Sequence, residues 1–324
     1  MGMRPLWKDV LIALFLGMIL PGMLTNGMVL YVRKNAAQAL EETVPRSIPV
    51  YSVTLHTTEG AAELELEQYI PGVVLAEMPA SFEPEALKAQ AVAARTYTRK
   101  ASLTGGKHGD GGVCTDPACC QGYLTAEAYL ANGGTQESVD KVFHAVQETV
   151  GLVLTYEGEL IEATYFSCSG GMTEDAVAVW GTAYPYLRSV SSPGEEQAAG
   201  YTQTLEFTPE EFSAALGRQL PGSPESWFSI TTYTEGGGVA VMTICGRSYT
   251  GVQLRQLLGL RSTAFAVQAH ADSISITTRG YGHRVGMSQY GADAMATSGS
   301  TYAQILGHYY PGTTLSELNT EAPA

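Results

Sequence analysis

YIPGVVLAEMPASFEPEALKAQAVAARTYTRK, residues 69–100, sets an apolar run against a charged helix and leaves one carboxylate, Glu77, at the junction. The run from Ala62 to Leu75 reads as a strand, and Met78-Pro79 turns the chain into a helix over Glu83 to Lys100 with Pro84 near its first position. A carboxylate among neighbours that favour burial is costly unless it has a partner or a task. On the helix, Lys88, Val92, Arg95 and Arg99 fall on one face, beside a small-residue face of Leu87, Ala91, Ala94 and Thr98. Two readings follow: a solvated cationic stripe that Glu77 caps or pairs with, or a site built around Glu77.

Outward from this stretch the chain mixes strands and helices. Ser47 to His56 reads as a strand, and Gln136 to Val150 as a helix with Val139, Val142, Phe143 and Val146 on one face, closed by Gly151. Leu152 to Phe166 reads as a hairpin turning at Glu157-Gly158. Short helices are expected after Thr208 and within Ser248 to Leu258, a strand at Ser273 to Thr278, and a helix from Gln289. Without a regular βαβ alternation the fold class is α+β. The expected organisation is a cytoplasmic tip and membrane anchor (1–34), a linker and first strand (35–60), a main domain (61–315) with a small subdomain at about 201–265, and a polar tail (316–324).

Val10 to Val32 carries no charge and is long enough for the roughly 20 residues that cross a bilayer. It reads as an uncleaved transmembrane signal anchor, although the small residues Asn35-Ala36-Ala37 would also suit cleavage. Everything beyond about Asn35 then lies outside the cytoplasm. That portion holds 14 basic and 31 acidic residues, a formal charge of −17. Such a balance argues against nucleic acid or anionic wall polymers captured by charge, and suits a neutral or lightly charged polysaccharide.

Two glycine-rich segments add candidate binding groups. Tyr165-Phe-Ser-Cys-Ser-Gly-Gly171 ends a strand in small residues that let a ligand approach the backbone. Tyr281-Gly-His-Arg-Val-Gly-Met-Ser-Gln-Tyr-Gly291 gathers stacking and hydrogen-bonding side chains, a pattern suited to a sugar-binding cleft. Together with residues 69–97 and the segment TEDAVAVWG (173–181), these stretches resemble the stage II sporulation protein D family of lytic transglycosylases. The resemblance runs from about Tyr69 to Pro311. Cys168 departs from it, standing where threonine is usual.

The resemblance implies cleavage of the MurNAc-GlcNAc bond of peptidoglycan, stripped of stem peptides, to 1,6-anhydroMurNAc ends during forespore engulfment. It implies Glu77 as the catalytic residue, a membrane-anchored location at the sporulation septum, and a partner amidase, stage II sporulation protein P, within the engulfment complex. One carboxylate is enough, because the 6-hydroxyl of muramic acid attacks the anomeric carbon in place of water. Lys88 and Arg95 are expected to hold the muramic carboxylate or to orient Glu77. Tyr165, Ser167, Ser169, Tyr281, His283 and Gln289 are expected to line the glycan cleft. Desolvation would raise the Glu77 pKa and a nearby Lys88 or Arg95 would lower it.

The loop HGDGGVCTDPACC offers His108, Cys114, Cys119 and Cys120 within thirteen residues. One imidazole and three thiolates suit a closed, structural Zn2+ site; a disulfide of Cys114 with Cys119 or Cys120 is the alternative. Some members of the family hold zinc in a loop at this place, with Cys119 standing where a histidine occurs. Two other functions fit the sequence: a zinc hydrolase, which needs an open coordination position, and a non-catalytic glycan-binding scaffold of the wall machinery.

Overall fold

The computed structural model describes residues 50–198 and 200–318. The signal anchor expected at 10–32 and most of the polar tail lie outside them. Among the described residues no helix is long and apolar enough to cross a membrane.

A hairpin of β1 (Ser52–Thr57) and β2 (Gly60–Glu65) runs directly into α1 (Leu66–Glu77). After a turn through Pro79 comes α2 (Pro84–Thr104), ended by Gly105 at φ 82°. The next loop carries β3 (Val113–Cys114), which pairs in parallel with β1. Two helices follow, α3 (Ala126–Ala131) and α4 (Gln136–Gln147), each capped at its N-terminus by a threonine hydroxyl. β4 (Leu152–Tyr156) and β5 (Glu159–Leu160) form the hairpin expected at Glu157-Gly158, where both residues take positive φ. β6 (Tyr165–Phe166) and α5 (Ala176–Trp180) complete this part.

The chain then builds a second group: β7 (Thr202–Phe207), α6 (Pro209–Ala215), β8 (Phe228–Tyr233), β9 (Val239–Ile244), β10 (Arg247–Thr250), α7 (Gly251–Leu257), β11 (Phe265–Ala269) and β12 (Ile274–Arg279). It returns with β13 (Met287–Ser288), α8 (Gln289–Thr297), α9 (Tyr302–Tyr309) and β14 (Thr314–Glu317). β13 lies parallel to β6, and β14 pairs with β4. Two hydrophobic cores result among the described residues. The larger surrounds α2, whose buried alanines 86, 89, 91, 93 and 94 let α1, α4, α8 and α9 pack closely. The smaller joins Phe212, Trp227, Ile244, Leu254 and Ile276 between two three-stranded sheets, β10-β9-β8 and β11-β12-β7.

The strand expected over Ala62 to Leu75 ends at Glu65, and the rest is helix. Tyr69, Ile70, Val73 and Val74 are all fully buried, so α1 is enclosed on most sides and its sequence shows neither a polar face nor a helical period. Pro71 argues against a helix interior and the β-branched Ile70, Val73 and Val74 favour a strand, and tertiary burial overrides both. Similarly, the segment Ser248 to Thr250 is strand, and the helix begins only at Gly251. Phe143 faces outward, whereas Val139, Val142 and Val146 are buried as expected.

The cationic face of α2 is also not a solvated stripe. Arg95 has no exposed surface; its fork meets both carboxylate oxygens of Glu67 at 2.8 and 2.9 Å, and its third nitrogen donates to the Leu152 carbonyl at 3.1 Å. Glu67 also accepts from the Gly151 N–H, so one ion pair joins α1, α2 and the start of β4. Breaking such a pair from one side leaves a buried charge uncompensated. Glu67→Ala is therefore expected to destabilise the protein by about 3–5 kcal/mol, read as a fall in denaturant midpoint.

Candidate active site

Glu77 is the last residue of α1, and Met78 ends the helix in an extended conformation. Its Oε1 accepts from the backbone N–H of Gly122 in a short hydrogen bond. The glycine permits this approach: a Cβ at position 122 would lie 3.1 Å from Oε1 and 3.2 Å from the Ala76 methyl. Burial holds the Glu77 carboxyl above its ordinary pKa, and the Gly122 N–H only partly opposes it. Neither Lys88 nor Arg95 contributes. Lys88 is engaged by Glu85 at 2.7 Å and Glu148 at 2.8 Å, and Arg95 by Glu67. The expected competition between burial and a neighbouring cation is thus decided for burial, and Arg95 has no surface to offer a ligand.

Around this carboxyl stands a phenol and amide network. Tyr165, at the start of β6, donates to Gln121 Oε1 at 2.8 Å, and Gln121 Nε2 donates to Thr98 Oγ1 at 2.8 Å. Burial raises the Tyr165 phenol well above its ordinary pKa, and the field of Glu77 raises it further. The phenol is therefore a neutral donor beside the carboxyl. His283 accepts from the Val285 N–H through Nδ1 at 3.1 Å and lies between the rings of Phe166 and Trp180, at 5.5 and 5.3 Å. Burial pushes its pKa down to about 4, so it is neutral at physiological pH. Tyr281 is 50% exposed and faces Arg261, whose guanidinium carbon is 5.3 Å from the ring centroid. Gln289 is buried, and its Nε2 has no hydrogen-bond partner among the described residues.

One expected cleft residue is taken up inside the fold, and another is anchored through its main chain. Ser169 is fully buried and donates through Oγ to Glu195 at 2.7 Å, which leaves it unavailable to a glycan. Ser167 offers its carbonyl to the Tyr290 N–H at 3.1 Å. Sequence reasoning missed Glu195, a buried carboxylate whose two oxygens accept from Ser169 N, Ser169 Oγ, Gly170 N, Cys168 Sγ, Ser192 Oγ and Ser288 Oγ. It ties the Ser-Cys-Ser-Gly-Gly turn to the start of α8. It lies in a loop with no pattern to mark it, unlike Gln121-Gly122, which directly follows the cysteine loop and which that proximity could have flagged.

The cysteine loop gathers as its spacing suggests. One ligand atom each from His108, Cys114, Cys119 and Cys120 lies within 4.8 Å of all the others. Cys120 Sγ is 3.4 Å and Cys119 Sγ 3.8 Å from His108 Nε2, and the two sulfurs are 3.9 Å apart. Zn–S bonds of about 2.3 Å in a tetrahedron set sulfur edges of roughly 3.7 Å, so the donor set and its spacing fit zinc. All five cysteines are free, so the alternative disulfide of Cys114 with Cys119 or Cys120 is not formed. β1 braces the loop: His56 pairs with Asp110 at 3.0 Å, and its ring is 4.9 Å from that of His108.

A family model described as Stage II sporulation protein matches residues 55–156, the segment from β1 through Glu77 and the cysteine loop to β4. Stage II sporulation protein D of Bacillus subtilis (strain 168) is 42% identical over 279 residues, covering 85% of this chain and 80% of that protein. The protein of the same name from Bacillus amyloliquefaciens is 40% identical over 291 residues, covering 89% and 83%. The Amidase enhancer of Bacillus subtilis (strain 168) is 32% identical over 306 residues, covering 76% of this chain and 40% of that protein. With 40–42% identity over at least 80% of each chain, the protein belongs to the stage II sporulation protein D family.

Proposed function

We propose that the chain is a peptidoglycan lytic transglycosylase with Glu77 as its single catalytic acid and base. The observation that supports it most is a partly buried carboxyl, raised in pKa, held by one glycine amide and flanked by a neutral phenol. Protonated Glu77 gives its proton to the glycosidic oxygen as the bond to the muramic anomeric carbon breaks. The muramic 6-hydroxyl closes onto that carbon, and its proton returns to the Glu77 carboxylate, so no water is consumed. The hydrogen bond of Tyr165 to Gln121 fixes a neutral phenol beside the carboxyl, and the exposed rings of Trp180, backed by His283, and of Tyr281 offer faces to the sugars. Zn2+ held by His108, Cys114, Cys119 and Cys120 would be structural, with every coordination position filled by protein.

Mass analysis of products from denuded glycan strands tests the reaction. Chains ending in 1,6-anhydroMurNAc are expected; ordinary reducing ends would require a second carboxylate, with Glu83 or Asp175 to be tested. By its family the enzyme acts in sporulation, anchored by residues 10–32 at the septal membrane and facing outward. There it would follow an amidase of the stage II sporulation protein P type, which strips the stem peptides. The name of the Amidase enhancer relative favours a second reading, a glycan-binding scaffold that stimulates such an amidase without cutting glycan itself.

The acid role fixes a pH dependence. Cleavage is expected to fall as pH rises through the raised Glu77 pKa, giving the kcat profile an alkaline limb above pH ~4.3, the ordinary glutamate value. Linkage gives stability the same sign. A carboxyl whose folded pKa exceeds its unfolded value costs the fold stability as pH rises from the unfolded towards the folded pKa. Thermal melts are therefore expected to show Glu77→Gln no less stable than the parent at pH 7, with any gain vanishing below the unfolded pKa.

A further inference from the structure

We propose that a groove bordering the smaller core is a second glycan subsite that takes a carboxylate-bearing sugar, the muramic unit with its lactyl group, through Arg279. This rests on the reading of the chain as an enzyme of wall glycan. Two cavities of about 330 and 370 Å³ share Gly237, Ala264 and Arg279 and make one continuous depression. Each falls within the size range of small-ligand sites. Part of its lining is bare backbone: Gly170, Gly171 and Gly237 hold φ of 78°, 108° and 76°, which both favours glycine and brings a ligand close to the main chain. Tyr201 and Tyr233 supply aromatic walls, and Met172 and Tyr233 are exposed.

Charge selects the ligand. Arg284, deeper in the lining, is spent on structure: it donates to Glu174 at 2.9 Å and to the carbonyls of Ser169, Met172 and Gly236 at 2.6, 2.8 and 2.7 Å. Arg279 is different. Its backbone is pinned, with its N–H on the Ala264 carbonyl and its carbonyl on the Ser262 hydroxyl, yet its guanidinium meets no acceptor among the described residues. Burial and the field of Glu196 hold the Tyr201 phenol above its ordinary pKa, and Arg279 lies close enough to oppose them. An unpaired guanidinium in a chain of net charge −14 presents a planar two-donor fork matched to a carboxylate. The neighbouring tyrosine faces suit the apolar face of a sugar ring.

The groove also lies close to the site along the chain. Gly170 follows Tyr165 by five residues, a separation of at most about 17 Å even when fully extended. A glycan strand that reaches from Glu77 to this nearby groove would bring a muramic carboxylate some sugars from the cut to Arg279.

The test is isothermal titration of the full chain carrying Glu77→Gln, which does not consume its ligand. The titrants are denuded GlcNAc-MurNAc oligomers, the same oligomers with the lactyl group as its methyl ester, neutral chitotetraose, and a free stem tetrapeptide. Adding Arg279→Gln is expected to weaken the denuded oligomers about tenfold, the scale of one charge-assisted pair, and to leave the ester and chitotetraose within twofold. A melt of the double variant matching its parent confirms that the exposed arginine is not a structural brace. Unchanged affinity for the denuded oligomers in both Arg279→Gln and Arg279→Glu overturns the proposal. Tetrapeptide binding that depends on Arg279 overturns the assignment to the sugar. These isotherms read binding alone, so a product analysis that refutes transglycosylation leaves them interpretable, and their failure leaves the chemistry at Glu77 untouched.

Discussion

Glu77→Gln is expected to abolish glycan cleavage, with a fall in kcat on the order of 10²–10⁴ for loss of the general acid. The same residue serves again as base for the 6-hydroxyl, so the larger end of that range is expected. The substitution keeps the side-chain shape and retains the oxygen that accepts from Gly122, so position and packing are preserved while the transferable proton is lost. Glycan affinity is expected to stay close to that of the parent. That combination separates the enzyme from the scaffold reading: a protein that only binds glycan or stimulates an amidase would keep its full effect with glutamine at 77. Retained cleavage in a variant confirmed by mass would remove Glu77 from the mechanism.

How legible the site was depends on the range of the contacts that make it. Glu77 stood out because a lone carboxylate in an apolar run violates a local rule, and His108, Cys114, Cys119 and Cys120 because their donors are close in sequence. The α2 helix, the β4-β5 turn and the α4 helix followed from local signals: Pro84, the Glu157-Gly158 pair and a 3.6-residue period. What failed was long-range. Arg95 looked like a surface cation because its partner, Glu67, is 28 positions away on a segment misread as strand. Once residues 66–77 are helical, Glu67 turns inward and Arg95, the middle cation of the apparent stripe, becomes half of an internal ion pair. Ser169 was misplaced for the same reason, since Glu195 lies 26 positions further along in a loop. Burial on all sides hid α1 itself, for a helix without a polar face has no period to read.

Cys120→Ser is expected to lower thermal stability and activity together, and the chain explains the coupling. Cys120 is followed by Gln121, whose amide accepts from Tyr165, and then by Gly122, whose N–H holds Glu77. A metal bond at Cys120 would therefore fix the end of the segment that supplies two contacts to the active site. The loop before it is rich in glycine and has little apolar surface to order itself, so bonds to zinc would offset much of its conformational entropy. Loss of one ligand is expected to release about one equivalent of zinc, measured by elemental analysis of reduced protein, and to lower the melting temperature. The fall in kcat should be about 10²-fold, since displacement of a catalytic group by about 1 Å costs that much. Glu77→Gln, by contrast, should keep both the metal and the melting temperature, because its carboxyl lies outside the ligand set. Protein lacking zinc yet fully active would show that the thiols and imidazole order the loop unaided. Zinc with a water in its coordination sphere would instead reopen a metal-assisted hydrolysis, because a closed Cys3His site leaves no position for a substrate.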